Sequence, residues 1–338
     1  MRFFSFLILI FICKFSFAQK EFQIDTFSLQ VNSSFRGLSV VNDDVIWISG
    51  SNGYVGISTD GGNRFYINQI IGFEKFDFRD IEAFSDKDAI VMSAGSPAVF
   101  LKTKDGGASW KITYSNNTKE IFFDGMDFWD DKKGIAFSDP IDKRLFIIKT
   151  EDGGKSWKEI PFGNSPLMQD GEAGFAASGT SIRVTGDGYA FIGTGGKAAH
   201  LFTSDDFGKT WKKFSCPMIK FKESTGVFSL AFRDGRTGMV AGGDYAADTL
   251  SKDNFFLTFN GGRSWKSPFK VPLGFRSCVE YITQTWLIAT GSSGTDISYD
   301  GGQTWKKLSV IGFNVVRRAK KGKIVFLAGN KGLIGVLK

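Results

Sequence analysis

One eight-residue stretch recurs along the chain and limits what it can fold into. Thr150-Glu151-Asp152-Gly153-Gly154-Lys155-Ser156-Trp157 returns as TKDGGASW (103–110), TFNGGRSW (258–265) and SYDGGQTW (298–305). SDDFGKTW (204–211) and a degenerate STDGGNRF (58–65) complete the set. At the third position stand Asp60, Asp105, Asp152, Asp206, Asn260 and Asp300, with gaps of 45, 47, 54, 54 and 40 residues. That is the period of a propeller blade. The leading Ser or Thr and the Asp can accept backbone N–H groups inside a turn. Gly supplies the left-handed backbone of a tight hairpin. The closing Trp starts the next strand and carries a large apolar surface between neighbouring sheets. The octet therefore reads as a folding device, needed once per blade.

It resembles the Asp-box, or BNR repeat, S/T-x-D-x-G-x-T/S-W. Upstream of each copy lies an apolar strand, a turn and a second strand, as in VIWISGSNGYVGIS (45–58), AIVMSAGSPAVFLKT (89–103) and WLIATGSSGTDIS (286–298). The segments 133–150, 188–203 and 238–258 repeat the pattern, and KIVFLAGNKGLIGVLK (323–338) is a seventh pair with no octet after it. Seven pairs, each with an inner strand before and an outer strand after, predict an all-β seven-bladed propeller. The last blade lacks its outer strand, and the segment 22–31 is a spare one. We expect it to complete blade 7 and close the ring, which leaves no sheet edge open.

The 36 Phe and 41 Gly of the 338 residues suit a large β core with many turns. Residues 1–18 differ: Arg2, an apolar run from Phe3 to Ile12, and Ser16-Phe17-Ala18 read as a secretory leader cleaved before Gln19. The expected products are a leader (1–18) and one propeller domain (19–338), exported to the periplasm or beyond, monomeric and without a membrane span. Removing Arg2 and Lys14 lowers the formal charge from +7 to +5. That is compatible with an acidic partner and falls short of a nucleic-acid-binding charge. Cys216 and Cys278 fall in different blades and are open to pairing or to burial as free thiols. The single His200 and the absence of zinc spacing predict no metal, and no glycine-rich dinucleotide motif opens a helix, so no cofactor is expected.

All octets occupy the hairpin between third and fourth strands, hence one face of the disc. The other face, where the linkers and second-to-third hairpins lie, is not repetitive, and variable loops on a rigid scaffold are where binding is expected. Arg36, Arg79 and Arg276 stand at strand starts there, with Arg317 placed similarly in blade 7. They are candidates to ring the channel mouth and clamp a carboxylate, sulfate or phosphate. The alternative is that they pair with Asp80, Asp124, Asp139 or Asp244 and tie the blade tops together. A glycosidase needs two carboxylates flanking a bond, for which Asp124, Asp127, Asp139, Glu172 and Asp244 are candidates. A lyase would use a base such as Tyr245 beside Arg276. Sialidases also carry Asp-boxes, but Arg36 is followed by Gly37-Leu38 where they have Arg-Ile-Pro. Glu280 and Tyr281 are strand neighbours, and so point to opposite faces rather than forming a nucleophile pair.

With these residues in place, the chain resembles the photosystem II stability and assembly-factor family, and more closely its BNR-like bacterial propellers outside photosynthesis. The likeness rests on FRDIEAF (78–84), SAGSPA (93–98), FFDGMDFWD (122–130), AFSDPID (136–142), GEAGFAASGT (171–180), FSLAFRD (228–234), GGDYA (242–246) and FRSCVEY (275–281). It implies an exported, non-catalytic propeller that docks a protein segment on an arginine-bearing face. Some proteins of this kind are named oxidoreductases; these residues offer no redox chemistry. The primary expectation is a binder of a protein segment or anionic ligand on the face opposite the octets. The second is a hydrolase or lyase acting on acidic glycans.

Overall fold

The computed structural model describes residues 22–338, so the leader of residues 1–18 lies outside the described residues. Seven antiparallel sheets surround an axis. Their innermost strands are Phe35–Val40, Phe78–Ala83, Phe123–Phe128, Ile182–Thr185, Thr225–Phe232, Cys278–Tyr281 and Val315–Arg318, in blades 1 to 7. The second strands Ile46–Gly50, Ala89–Ser93 and Leu287–Gly291 are buried along their whole length. A strand covered on both sides by neighbouring sheets has to be apolar throughout rather than alternating. No helix among the described residues is long and apolar enough to cross a membrane.

The ring closes as expected. Ile24–Ser28 pairs antiparallel with Leu333–Leu337, from Ile24 opposite Leu337 to Ser28 opposite Leu333, and forms the rim strand of blade 7. Blades 3 and 5 have the shortest outer edges. The outer strand of blade 3 is reduced to Lys158–Glu159, and that of blade 5 to a bridge between Leu257 and Lys266. Pro161 and Pro268 follow within three residues, and neither can donate to a ladder.

Each octet folds in the same way. In blade 3, Thr150 Oγ1 donates to Asp152 Oδ1 (2.8 Å) and accepts the Gly154 N–H (2.8 Å). Asp152 Oδ1 also accepts the Ser156 N–H (2.9 Å), and Oδ2 accepts the Ser156 hydroxyl (2.7 Å). Gly153, at φ 73°, then donates to the Lys132 carbonyl, which ties the octet to the first-to-second turn of its own blade. Asn260 keeps this frame: its Oδ1 takes the Ser264 N–H, while its Nδ2 donates to the Ser264 hydroxyl, reversing one bond. The terminal aromatic packs on the preceding blade. Trp157 lies 5.0 Å from Phe100, Trp110 6.2 Å from Trp47 and Trp305 5.0 Å from Phe255.

Because Asp152 is the acceptor hub of its turn, Asp152→Ala should cost about 1–3 kcal/mol in urea unfolding. Asp152→Asn, which can adopt the bonding seen at Asn260, should cost clearly less. Equal losses in the two variants would remove the acceptor from the explanation.

Candidate functional site

The connection from blade 3 to blade 4 does not stay at the rim. Residues 171–181 cross the loop-face end of the axis and touch all seven blades. Three arginines hold consecutive carbonyl groups of this segment: Arg79 Nη1 reaches Ala176 O (3.4 Å), Arg36 Nη1 reaches Ala177 O (3.0 Å), and Arg317 Nη2 reaches Ser178 O (3.2 Å). The Gly174 N–H donates to Asp139 Oδ1 (2.8 Å), and the Ser178 hydroxyl donates to Ser277 O (2.8 Å). The Thr180 hydroxyl bonds Ser229 Oγ (2.7 Å). Phe175 stacks on Phe228 with centroids 3.8 Å apart. Gly179, at φ 68°, lies against the Asp80 carboxyl so closely that a Cβ would come within 2.3 Å of it. The base of the segment is pinned by Glu172, which accepts from the Thr194 hydroxyl and from the Gln169 N–H, and lies 2.9 Å from His200 Nδ1. The segment is a plug.

This placement settles where the arginines and carboxylates singled out in the sequence lie. Arg36 and Arg79 occupy equivalent positions one residue before Gly37 and Asp80, and both face the plug. Arg276 does not join them. Cys278 opposite Thr290 is the counterpart of Gly37 opposite Ser49, so Ser277, not Arg276, stands in their place. Arg276 is 1% exposed and ion-paired with Asp296, and it also donates to Phe275 O and Leu273 O. Arg317 lies three positions deeper than expected. None of these arginines is ion-paired with Asp80, Asp124, Asp139 or Asp244; Arg79 pairs with Asp77 (2.8 Å) and Lys222 with Asp244 (3.1 Å). Asp124, Glu172 and Asp244 are buried. Asp124 and Asp139 lie under Gly174, Glu172 lies beneath the plug, and Asp244 caps the short turn at Tyr245–Ala247. They flank no common cleft. Tyr245 is exposed and packs on Phe228 and Phe275 rather than on the Arg276 guanidinium. Cys216 and Cys278 are free and buried.

At the octet face the axis is open. A cavity of about 1040 Å³ is lined by inner strands and first-to-second turns. Its deeper wall is a ring built by register: Ser39, Glu82, Asp127, Arg183, Ala231, Glu280 and Arg317 are each opposite the same position of their second strand. Arg183 donates to Leu230 O in blade 5 (3.3 Å) and reaches Glu280 in blade 6 (2.7 Å), with Asp127 at 4.0 Å. The small Ala231 leaves room for this crossing. Burial works against the charge of Arg183, but Glu280 and Asp127 outweigh it and raise its pKa. Asp80 is the floor, and burial pushes its carboxyl up to about 7, against the pull of Arg317 and two backbone N–H groups. Among the described residues no group of three His, Cys, Asp or Glu side chains could hold a metal ion.

Comparison with known proteins agrees with this architecture. The BNR/Asp-box repeat model matches residues 202–213 and 296–307, two of the octets with their flanks. The chain thus carries Asp-box repeats on a seven-bladed propeller. The solved structure of YCF48 bound to D1 peptide superposes with a TM-score of 0.67 at 15% identity, over 95% of this chain and 97% of that one. YCF48 from Cyanidioschyzon merolae gives 0.63 at 16%, over 93% and 98%, and the Neurospora crassa Pan2 WD40 domain gives 0.63 at 13%, over 94% and 96%. At these identities the likeness is one of fold. No curated protein matches the Asp-box propeller in sequence.

The plug and the Arg183–Glu280 pair were not foreseen. Nothing in GEAGFAASGT (171–180) shows that the segment runs inward. The ring could have been found by counting four residues on from the Phe that begins an inner strand, which gives Ser39, Glu82 and Asp127.

Asp124 provides a test of the plug's underside. Burial, with Asp139 alongside, raises its pKa well above 3.8, and neither carboxyl oxygen has a hydrogen-bond partner among the described residues. A carboxyl whose folded pKa is raised takes up a proton on folding, so its cost is absent at low pH and grows as pH rises above 3.8. Asp124→Asn should therefore stabilise the Asp-box propeller at pH 8, on the order of 1–3 kcal/mol. The gain should shrink towards pH 4. Melting curves at both pH values check the sign, and a destabilised variant at pH 8 would contradict this account.

Proposed function

We propose that the chain is a non-catalytic, assembly-factor-like propeller that docks a protein segment on the face opposite the Asp-boxes. The observation that carries this reading is the distribution of exposed apolar side chains. Of the fourteen large ones among the described residues, nine lie in loops of that face: Ile71, Phe162, Leu167, Phe221, Tyr245, Leu250, Leu273, Val310 and Ile311. Ile71 is 91% exposed, and Phe221 and Val310 are each 75% exposed. On the Asp-box turns the corresponding residue is Phe259. Concentrated apolar surface on one face of a rigid disc is the signature of a protein contact. Tyr245 stands on a packed aromatic base of Phe228 and Phe275, the kind of fixed anchor that dominates interface energies.

YCF48, which shares the fold, is described as bound to a D1 peptide. Recognition of a peptide by this architecture thus has a precedent. The arginines of the mouth are engaged by the chain's own plug, so the contact on this face is apolar rather than ionic. A hydrolase or lyase reading gains nothing from the site, because Asp124, Glu172 and Asp244 are buried and Asp139 is taken up by the Gly174 N–H of the plug.

Affinity capture of the full chain from its native cells, with the bound protein identified by mass spectrometry and then purified, supplies the partner for a binding assay. Phe221→Ser combined with Tyr245→Ser should weaken that binding by more than about tenfold, as loss of hot-spot side chains does. Phe259→Ser should leave it unchanged. The reverse ranking would place the contact on the Asp-box face and overturn the proposal. Export is part of the same reading, and intact-mass measurement of the recovered protein should find Gln19 at its N-terminus.

A further inference from the structure

The cavity at the Asp-box end of the axis has no role in the docking reading, and its chemistry differs from that of the loop face. We propose that it is a binding site for a small organic polyanion, a molecule carrying two or more phosphate or carboxylate groups. Three observations support this assignment.

The first is charge. Six cations, Arg183, Arg233, Arg317, Arg318, Lys320 and Lys323, line the cavity against four carboxylates. Each carboxylate is already engaged. Asp80 accepts the Ile81 and Met126 N–H groups, and Asp127 those of Phe128 and Val184. Glu82 is paired with Lys320, and Glu280 with Arg183.

The second is that the rim cations are left over. Arg233 and Arg318 each donate one hydrogen bond to a backbone carbonyl, of Gln284 and Gly322. Most of each guanidinium fork therefore remains open to an oxyanion. Neither they nor Lys323 has a carboxylate within 4.0 Å among the described residues. Asp43 lies close to Arg318 and Lys323, but it takes the backbone N–H groups of Lys323 and Ile324 instead. These cations come from blades 5 and 7, so anionic groups at two points of one ligand can be met at once.

The third is shape. About 1040 Å³ is far more than an inorganic ion fills and is of the size that organic ligands occupy. Phe232, Tyr281, Ile282 and Trp286 offer an apolar wall for the body of such a molecule. The plug makes the cavity blind, so a polymer cannot thread it, and a compact molecule fits.

Isothermal titration calorimetry of the full chain at low salt tests this, with citrate and inorganic pyrophosphate as probes and acetate at matched ionic strength as control. At least one polyanion should bind with a dissociation constant below about 1 mM, and acetate should give no heat. Arg233→Gln, Arg318→Gln and Lys323→Gln together should weaken binding at least about tenfold, as loss of charge-assisted hydrogen bonds does. The ligand-free melting temperature should not move, since all three side chains sit at the rim. Preference for citrate would identify carboxylate, and for pyrophosphate phosphate, as the group recognised. The Phe221→Ser, Tyr245→Ser variant should bind as the parent does, so this site and the docking face are judged separately. Absence of binding to both probes, or unchanged affinity in the triple variant, overturns the proposal.

Discussion

The backbone pairing of Ile24–Ser28 with Leu333–Leu337 is what the rest of the molecule depends on. Without it the seven sheets would be an open array with an unpaired edge at each end. With it, both apolar faces of each blade are covered by a neighbour, and the inner strands are held around one axis. The aromatic residue of each Asp-box then has a fixed place between its own sheet and the preceding one, as the Trp47–Trp110 and Phe100–Trp157 contacts show. Closure and blade packing are one condition seen at two scales.

Once the ring is closed, its axis poses a problem of polarity. A peptide segment running across the centre buries carbonyl groups, and each needs a donor. Arg36, Arg79 and Arg317 supply those donors to Ala177, Ala176 and Ser178. The arginines and the plug are thus one unit: neither would be stable at the axis without the other. This unit also makes the two ends of the channel unlike. One end is sealed by satisfied backbone and surrounded by exposed apolar loops. The other is an open, charged cavity whose deeper wall is the ring from Ser39 to Arg317.

The fold was legible because it is written in repeats. Six octets and seven strand pairs state the blade number, and the spare segment before Phe35 states how the ring closes. Residues whose role is set inside one blade were readable for the same reason, as Asp152 and its octet are. The axis was not. What Arg36 meets depends on a linker more than 130 residues away, and no local pattern records that. Arg276 illustrates a finer limit. Its Phe-Arg context copies Phe35-Arg36, yet a one-residue difference in register turns it into the blade, towards Asp296. Register across a sheet is a tertiary property, and a motif alone does not carry it.

The closing pair has one more consequence. The Gln23 N–H bonds the Lys338 carbonyl, and the Lys338 N–H bonds the Gln23 carbonyl, so the two ends of the described chain leave the ring side by side. They do so at the Asp-box face, where Phe22 packs edge-on against Trp286. A chain whose ends meet in this way has no structurally privileged starting point. Joined by a short link and opened in the linker before Phe35, it is a natural subject for circular permutation, with blade 7 then built from a single continuous stretch.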